Sequence, residues 1–148
     1  MKNCKIFKCK SENTNEDCIF CKILNKKAPS YKIYEDKYVY AFLDISCDIE
    51  GHTLIIPKKH SCDVLDCDEK YLKQIIIAAK KIGKHFVENC GYDGFNIVHA
   101  SRKSAEQSVF HLHFHIIPRK ENDQIKMYPE LEKKDFNLEE IANKLKLN

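Results

Sequence analysis

Apolar and polar positions alternate along YKIYEDKYVYAFL (residues 31–43), with Tyr31 and Ile33 before the polar Glu35-Asp36-Lys37 and Val39, Ala41 and Leu43 after it. A period of two interrupted by a polar turn predicts a hairpin of two strands. After the polar, glycine-containing stretch 46–51, HTLIIP predicts a short third strand, ended by Pro57 because proline brings no backbone N–H to a ladder. The period then changes. Apolar residues at 72, 75, 76, 79, 82 and 86 predict an amphipathic helix over 68–88, with a stop at Asn89-Cys90-Gly91. Residues 95–98 and 109–117 return to a strand pattern, joined by the polar loop HASRKSAEQS, and NLEEIANKLKL predicts a closing helix. The sum is an α+β domain: a mostly antiparallel five-stranded sheet, one long helix and a C-terminal helix.

Composition narrows this picture. A chain of 148 residues fills one hydrophobic core, so a single domain is expected over residues 18–148, behind a polar, flexible extension over 1–17. No apolar run reaches membrane-spanning length and the N-terminus lacks the apolar segment of a secretory signal, so a cytoplasmic location is expected. The net charge of +3 is small and the lysines are interleaved with acids, which argues against nucleic acid as a partner. Eight cysteines in a reducing compartment point to metal binding or burial rather than a disulfide framework.

The densest chemistry lies in VFHLHFHIIP. His111, His113 and His115 alternate with Leu112, Phe114 and Ile116, so on a strand the three imidazoles share one face. Same-face neighbours stand roughly 6.6–6.8 Å apart, about the spacing of successive phosphoryl groups. A neutral imidazole is a good nucleophile toward phosphorus, and neighbouring imidazoles disfavour a shared charged state. The competing reading is that alternate histidines simply hold a metal.

CIFC (18–21) provides two thiolates at C-x-x-C spacing, which close on zinc when two further ligands arrive; His60 and His111 are the candidates. A redox pair, two buried thiols, or a set of Cys4, Cys9, Cys18 and Cys21 are the alternatives. Cys47, Cys62, Cys67 and Cys90 have no ligand spacing and read as packing residues.

HLHFHII, preceded by QSVF, resembles the H-φ-H-φ-H-φ-φ signature of the histidine-triad (HIT) superfamily, in which φ is apolar. CIFCKIL, YEDKYVYAFLDIS and GHTLIIPKKH precede it in the order typical of the Hint-like branch, so the resemblance covers about residues 18–120. It implies that His113 attacks the α-phosphorus to form a nucleotidyl-histidine, that His115 contacts the phosphate and helps the leaving group, and that Ser108 bonds near the bridging atom. It also implies His52 as a supporting catalytic residue, Asp44 as the ribose ligand, and Phe20, Ile23, Phe42 and Ile45 as the enclosure of the base. Gln107 joins the nucleotide-binding positions. By the residues alone, the four apolar positions are equally candidates for core and Asp44 for a turn. Members of the branch with a cysteine pair bind zinc structurally through positions matching Cys18, Cys21, His60 and His111.

Two features distinguish this chain. His99, Arg102 and Glu106 stand in or near places where relatives carry Asn followed by Gly, and Gly before the Gln, while Arg102 and Lys103 offer charge to an anion. His115 occupies the position that is Gln in the transferase branch, which implies hydrolysis. The function expected is therefore a homodimeric hydrolase that cleaves a phosphoramidate or phosphoanhydride bond at the α-phosphate of a purine nucleotide. The alternatives are a nucleotide-binding or protein-interaction module with little turnover, and an enzyme that processes adenylated nucleic-acid ends.

Overall fold

A computed structural model of the protein describes residues 16–46 and 48–147. Helix α1 (Ile19–Leu24) leads into strands β1 (Lys32–Glu35), β2 (Val39–Leu43) and β3 (Thr53–Pro57). Helix α2 (Glu69–Asn89), strands β4 (Gly94–Val98) and β5 (Phe114–Arg119), and helix α3 (Leu138–Leu145) follow. The five strands form one sheet in the order β1-β2-β3-β5-β4, with every pairing antiparallel. The α+β reading and its five-stranded sheet hold.

Local chemistry explains the elements. The Asp36 carboxylate accepts the backbone N–H groups of Tyr38 and Val39 at 2.8 and 2.9 Å, closing the β1–β2 turn. Asp68 caps α2 by accepting from the Lys70 N–H at 3.1 Å. The helix lays Ile75, Ala78, Ala79, Ile82 and Phe86 on one face of the sheet, against Val39, Ala41, Ile55 and Ile116. Gly83 lies where a Cβ would meet the ring of Phe95, so this mid-helix glycine is a close-approach residue.

Strand alternation sends the neighbouring residues to the opposite face. There Phe42, Leu54 and Ile56 pack with Phe20 of α1. The two faces thus divide the work: α2 supplies the large core, and α1 covers the face on which the polar chemistry gathers.

Two expectations change. Helix α1 was not anticipated, because six residues are too few to display a helical period. The histidine strand begins at Phe114 rather than at residue 109, so His111 and His113 precede the ladder. Backbone groups in that stretch bond elsewhere: Leu112 N–H to Ser61 O at 2.6 Å, Val109 O to the Gln107 amide at 3.1 Å, and His113 O to the His99 ring at 2.9 Å. The alternation nevertheless survives, since Leu112, Phe114 and Ile116 all face the α2 side.

Among the scattered cysteines, Cys67 is buried, but Cys90 is exposed and Cys62 is disulfide-bonded, so the packing reading fits Cys67 alone of these three. Cys4, Cys9 and Cys47, and the extension 1–17 except its last two residues, lie outside the described residues. Among the described residues no helix is long and apolar enough to cross a membrane.

Candidate active site and metal centre

His113 emerges from the stretch before β5 as a buried residue, 5% exposed. Its Nδ1 lies 2.7 Å from the carbonyl oxygen of His111, an atom that only accepts. Nδ1 therefore carries the proton, and Nε2 keeps the lone pair. Burial holds the pKa of His113 below the ordinary histidine value, outweighing the stabilisation of a charge by the His111 carbonyl. The neutral ring expected from the neighbouring imidazoles is thus produced first by burial. Phe20 meets both His111 and His113 edge to face, with ring centroids 5.7 and 5.4 Å away, which fixes the two rings against α1.

A chain of three polar side chains runs beside it. His52 Nε2 is 2.8 Å from His115 Nδ1, and His52 Nδ1 lies 3.7 Å from a carboxylate oxygen of Asp44. The carboxylate favours the proton on His52 Nδ1, so His52 Nε2 accepts from His115. The 2.8 Å separation is a hydrogen bond, shorter than the roughly 3.3 Å between two nitrogens on a tetrahedral ion. Burial and the adjacent imidazoles of His113 and His52 push His115 down to about 4. Burial raises the pKa of Asp44, but the Ser46 N–H at 2.8 Å and the nearby His52 outweigh it and keep the carboxyl below its usual range.

His113, His115 and Asp44 open onto one cleft of about 390 Å³, lined also by Phe20, Ile23, Phe42, Ile45 and Ser108, while His52 bonds to His115 and does not line it. Eight of the residues named from the sequence therefore meet at a single site. Ile45 stands 80% exposed at the rim, whereas Phe20 and Phe42 belong to both the core and the cleft wall. Other lining residues, such as Ile19, Ala28, Pro29, Leu54 and Val109, are marked by nothing but position in the fold. A shallower depression between residues 26–30 and Tyr40 adjoins the cleft and holds no histidine.

Gln107 is placed differently from its nucleotide-binding expectation. Its side chain is buried and spent on the backbone: Oε1 accepts from Arg102 N–H at 2.7 Å, and Nε2 donates to Cys62 O at 2.6 Å and to Val109 O. The loop it ties down contains Arg102 and Glu106 at φ +72° and +67°. These are glycine-type conformations occupied here by charged residues. The substitutions at those two places thus keep a backbone suited to glycine. Arg102 faces Asp63, at 3.6 Å, and His99 turns inward onto the His113 carbonyl.

A second centre lies behind the triad. Cys18 Sγ, Cys21 Sγ, His60 Nδ1 and His111 Nδ1 converge within 4.8 Å of one another. Nearest separations are 3.4 Å from Cys18 to His111, 3.3 Å from Cys21 to His60, and 3.2 Å between the two imidazole nitrogens. Bonds of about 2.0–2.3 Å at tetrahedral angles give ligand separations of roughly 3.3–3.7 Å, so the four atoms fit one metal ion. The opposite nitrogen of His111, Nε2, lies 3.1 Å from Pro57 O and must donate to it, which leaves Nδ1 unprotonated toward the sulfurs. Burial also holds His60 below its ordinary pKa and His111 at about 4, keeping both rings neutral, as ligation requires.

Residues 25–122 match the family model for the HIT domain. The chain is 50% identical over 109 residues to an uncharacterized HIT-like protein of Borreliella burgdorferi, covering 72% of this chain and 78% of that one. It is 42% identical over 104 residues to the adenosine 5'-monophosphoramidase HNT1 of Saccharomyces cerevisiae, covering 70% of this chain and 63% of the relative. A zinc-bound histidine triad family protein of Mycobacterium smegmatis superposes with a TM-score of 0.71 at 33% identity, over 78% of this chain and 84% of that one. The cleft, the alternating histidines and these likenesses converge: the chain belongs to the HIT family, with Hint-type proteins among its relatives.

Proposed function

We propose that the protein hydrolyses purine nucleoside phosphoramidates or phosphoanhydrides at the α-phosphate, through a nucleotidyl intermediate on His113. The observation that carries this reading is the His113 ring, whose Nδ1 is bound to the His111 carbonyl and whose Nε2 keeps its lone pair beside the cleft. In the first step Nε2 forms a bond to the α-phosphorus while the bond to the leaving amine or phosphate breaks; the leaving group departs with a proton. Water then attacks the same phosphorus, releasing the nucleoside monophosphate and the neutral imidazole.

His115 and His52 supply the proton traffic. An incoming phosphate brings negative charge that raises the proton affinity of the His115–His52 pair, and the captured proton is available to the leaving group. Asp44, ionised at the cleft wall, accepts from ribose hydroxyls, and Phe20, Ile23, Phe42 and Ile45 enclose the base. Ser108 is the hydroxyl donor near the bridging atom. The residue pattern supports hydrolysis rather than transfer, because His115 retains an ionisable group. A binding module with little turnover drew its support from the altered loop, and that support weakens because Arg102 and Glu106 preserve a glycine-type backbone.

Zinc is the metal proposed for Cys18, Cys21, His60 and His111. It would tie α1 to the histidine stretch and fix His111, two residues from the nucleophile. The protein is proposed to act as a homodimer in the cytoplasm; β4 ends the sheet with Ile97 exposed, an edge that a second copy can extend.

A panel of adenosine phosphoramidates and dinucleoside polyphosphates tests the reading. Wild-type protein releases AMP from at least one class and His113→Ala from none. Equilibrium AMP binding without turnover of any member would refute it.

A further inference from the structure

His99 lies one residue beyond β4 and outside the cleft lining, yet three contacts fix its ring. Its Nδ1 is 2.9 Å from the His113 carbonyl oxygen, its Nε2 is 2.8 Å from Ser101 Oγ, and its plane stacks on Phe114 at 4.7 Å and 14°. The carbonyl can only accept, so Nδ1 bears the proton and Nε2 accepts from the Ser101 hydroxyl. The tautomer is thereby fixed. The register explains the need: Val98 pairs with His115, and the ladder between β4 and β5 ends there. The His113 carbonyl, two residues before His115, is held by the His99 side chain instead of by β4.

We propose that His99 is a positioning residue that clamps the main chain of His113, so that its imidazole meets the phosphorus in one orientation. Two links connect His99 to the reacting nitrogen: its bond to the His113 carbonyl, and the bond from His113 Nδ1 to the His111 carbonyl. A clamped backbone holds the ring at the distance that second bond requires. A loosened one lets the ring rotate and the proton exchange between Nδ1 and Nε2. The proposal rests on the reading of His113 as nucleophile.

Two substitutions divide the contributions. Asn places an amide Nδ2 where histidine has Nδ1, so His99→Asn keeps the donor and loses the stack. His99→Phe keeps the stack on Phe114 and loses the donor. With folding checked by circular dichroism, His99→Phe lowers kcat by on the order of 10- to 100-fold with KM within about twofold, the pattern of a misaligned reacting group. His99→Asn restores most of kcat. Ring 15N resonances provide a readout independent of turnover: His113 is a single Nδ1–H tautomer in the wild type and in His99→Asn, and a mixture in His99→Phe. Unchanged kcat and an unchanged tautomer in His99→Phe would overturn the proposal. Absence of wild-type turnover would instead defeat the hydrolase reading, and the tautomer comparison would still decide whether His99 clamps His113.

Discussion

The Nδ1 atom of His113 sits 2.7 Å from the carbonyl oxygen of His111, so the residue whose ring joins the proposed metal centre orients the proposed nucleophile with its backbone. Structural and chemical duties are therefore separated by two residues of chain. Disturbing one centre should be felt at the other.

Metal removal tests that connection. Without the proposed ion, the four converging side chains leave two sulfurs and two imidazoles packed together. Cys21→Ser, or exhaustive chelation, is expected to lower the thermal midpoint by roughly 6–8 °C, the shift that a loss of about 2 kcal/mol produces in a domain of this size. Elemental analysis should find one zinc per chain in the wild type and less than a tenth of that in the variant.

Stability should depend on pH through His115. Its folded pKa, about 4, lies below the unfolded value near 6.5, so between those values the unfolded chain binds the additional proton. The contribution is fully present above pH 6.5 and is lost as the pH falls from there toward 4. Urea unfolding at pH 7.5, 6.0 and 5.0 should give falling midpoints, and His115→Gln should flatten the trend.

The loop of Arg102 and Glu106 should respond to glycine. An L residue in the left-handed region costs about 1–2 kcal/mol, and the added chain entropy of glycine offsets roughly half of that. Glu106→Gly is therefore expected to stabilise the protein by about 0.5–1 kcal/mol, read as a raised urea midpoint with an unchanged slope.

Gly83 should tolerate nothing larger. A methyl group there enters the space of the Phe95 ring, which α2 and β4 confine. Gly83→Ala is expected to destabilise by roughly 1–3 kcal/mol despite the better helix propensity of alanine, and Phe95→Leu should recover part of the loss. Chemical denaturation of the two single variants and the double variant checks this.

The hydrophobic periods carried the fold because α2 and the strands each bury one face over enough residues to repeat. Helix α1 was illegible for the opposite reason, its six residues covering less than two turns. HLHFHII showed which side each ring takes but not where the ladder begins. Alternation needs only extended backbone, whereas the ladder needs partners, and Ser61, Gln107 and His99 take that role before Phe114. Eight of the proposed contact residues line the cleft because the motifs that carry six of them fall on strands, turns and loops at one sheet face, which α1 covers with the other two, Phe20 and Ile23. The loop contacts of Gln107 were not legible, because a motif position does not reveal whether an amide points to a ligand or to its own loop. His99 stood out in the sequence as a departure from the family pattern, but its contact with the His113 backbone has no sequence signal.

The measurement that bears most directly on the central claim is mass spectrometry of protein quenched during turnover of an adenosine phosphoramidate. An adenylyl group on His113, acid-labile and absent in His113→Ala, is the result predicted. Steady turnover with no adduct on His113, or turnover that survives His113→Ala, would contradict it.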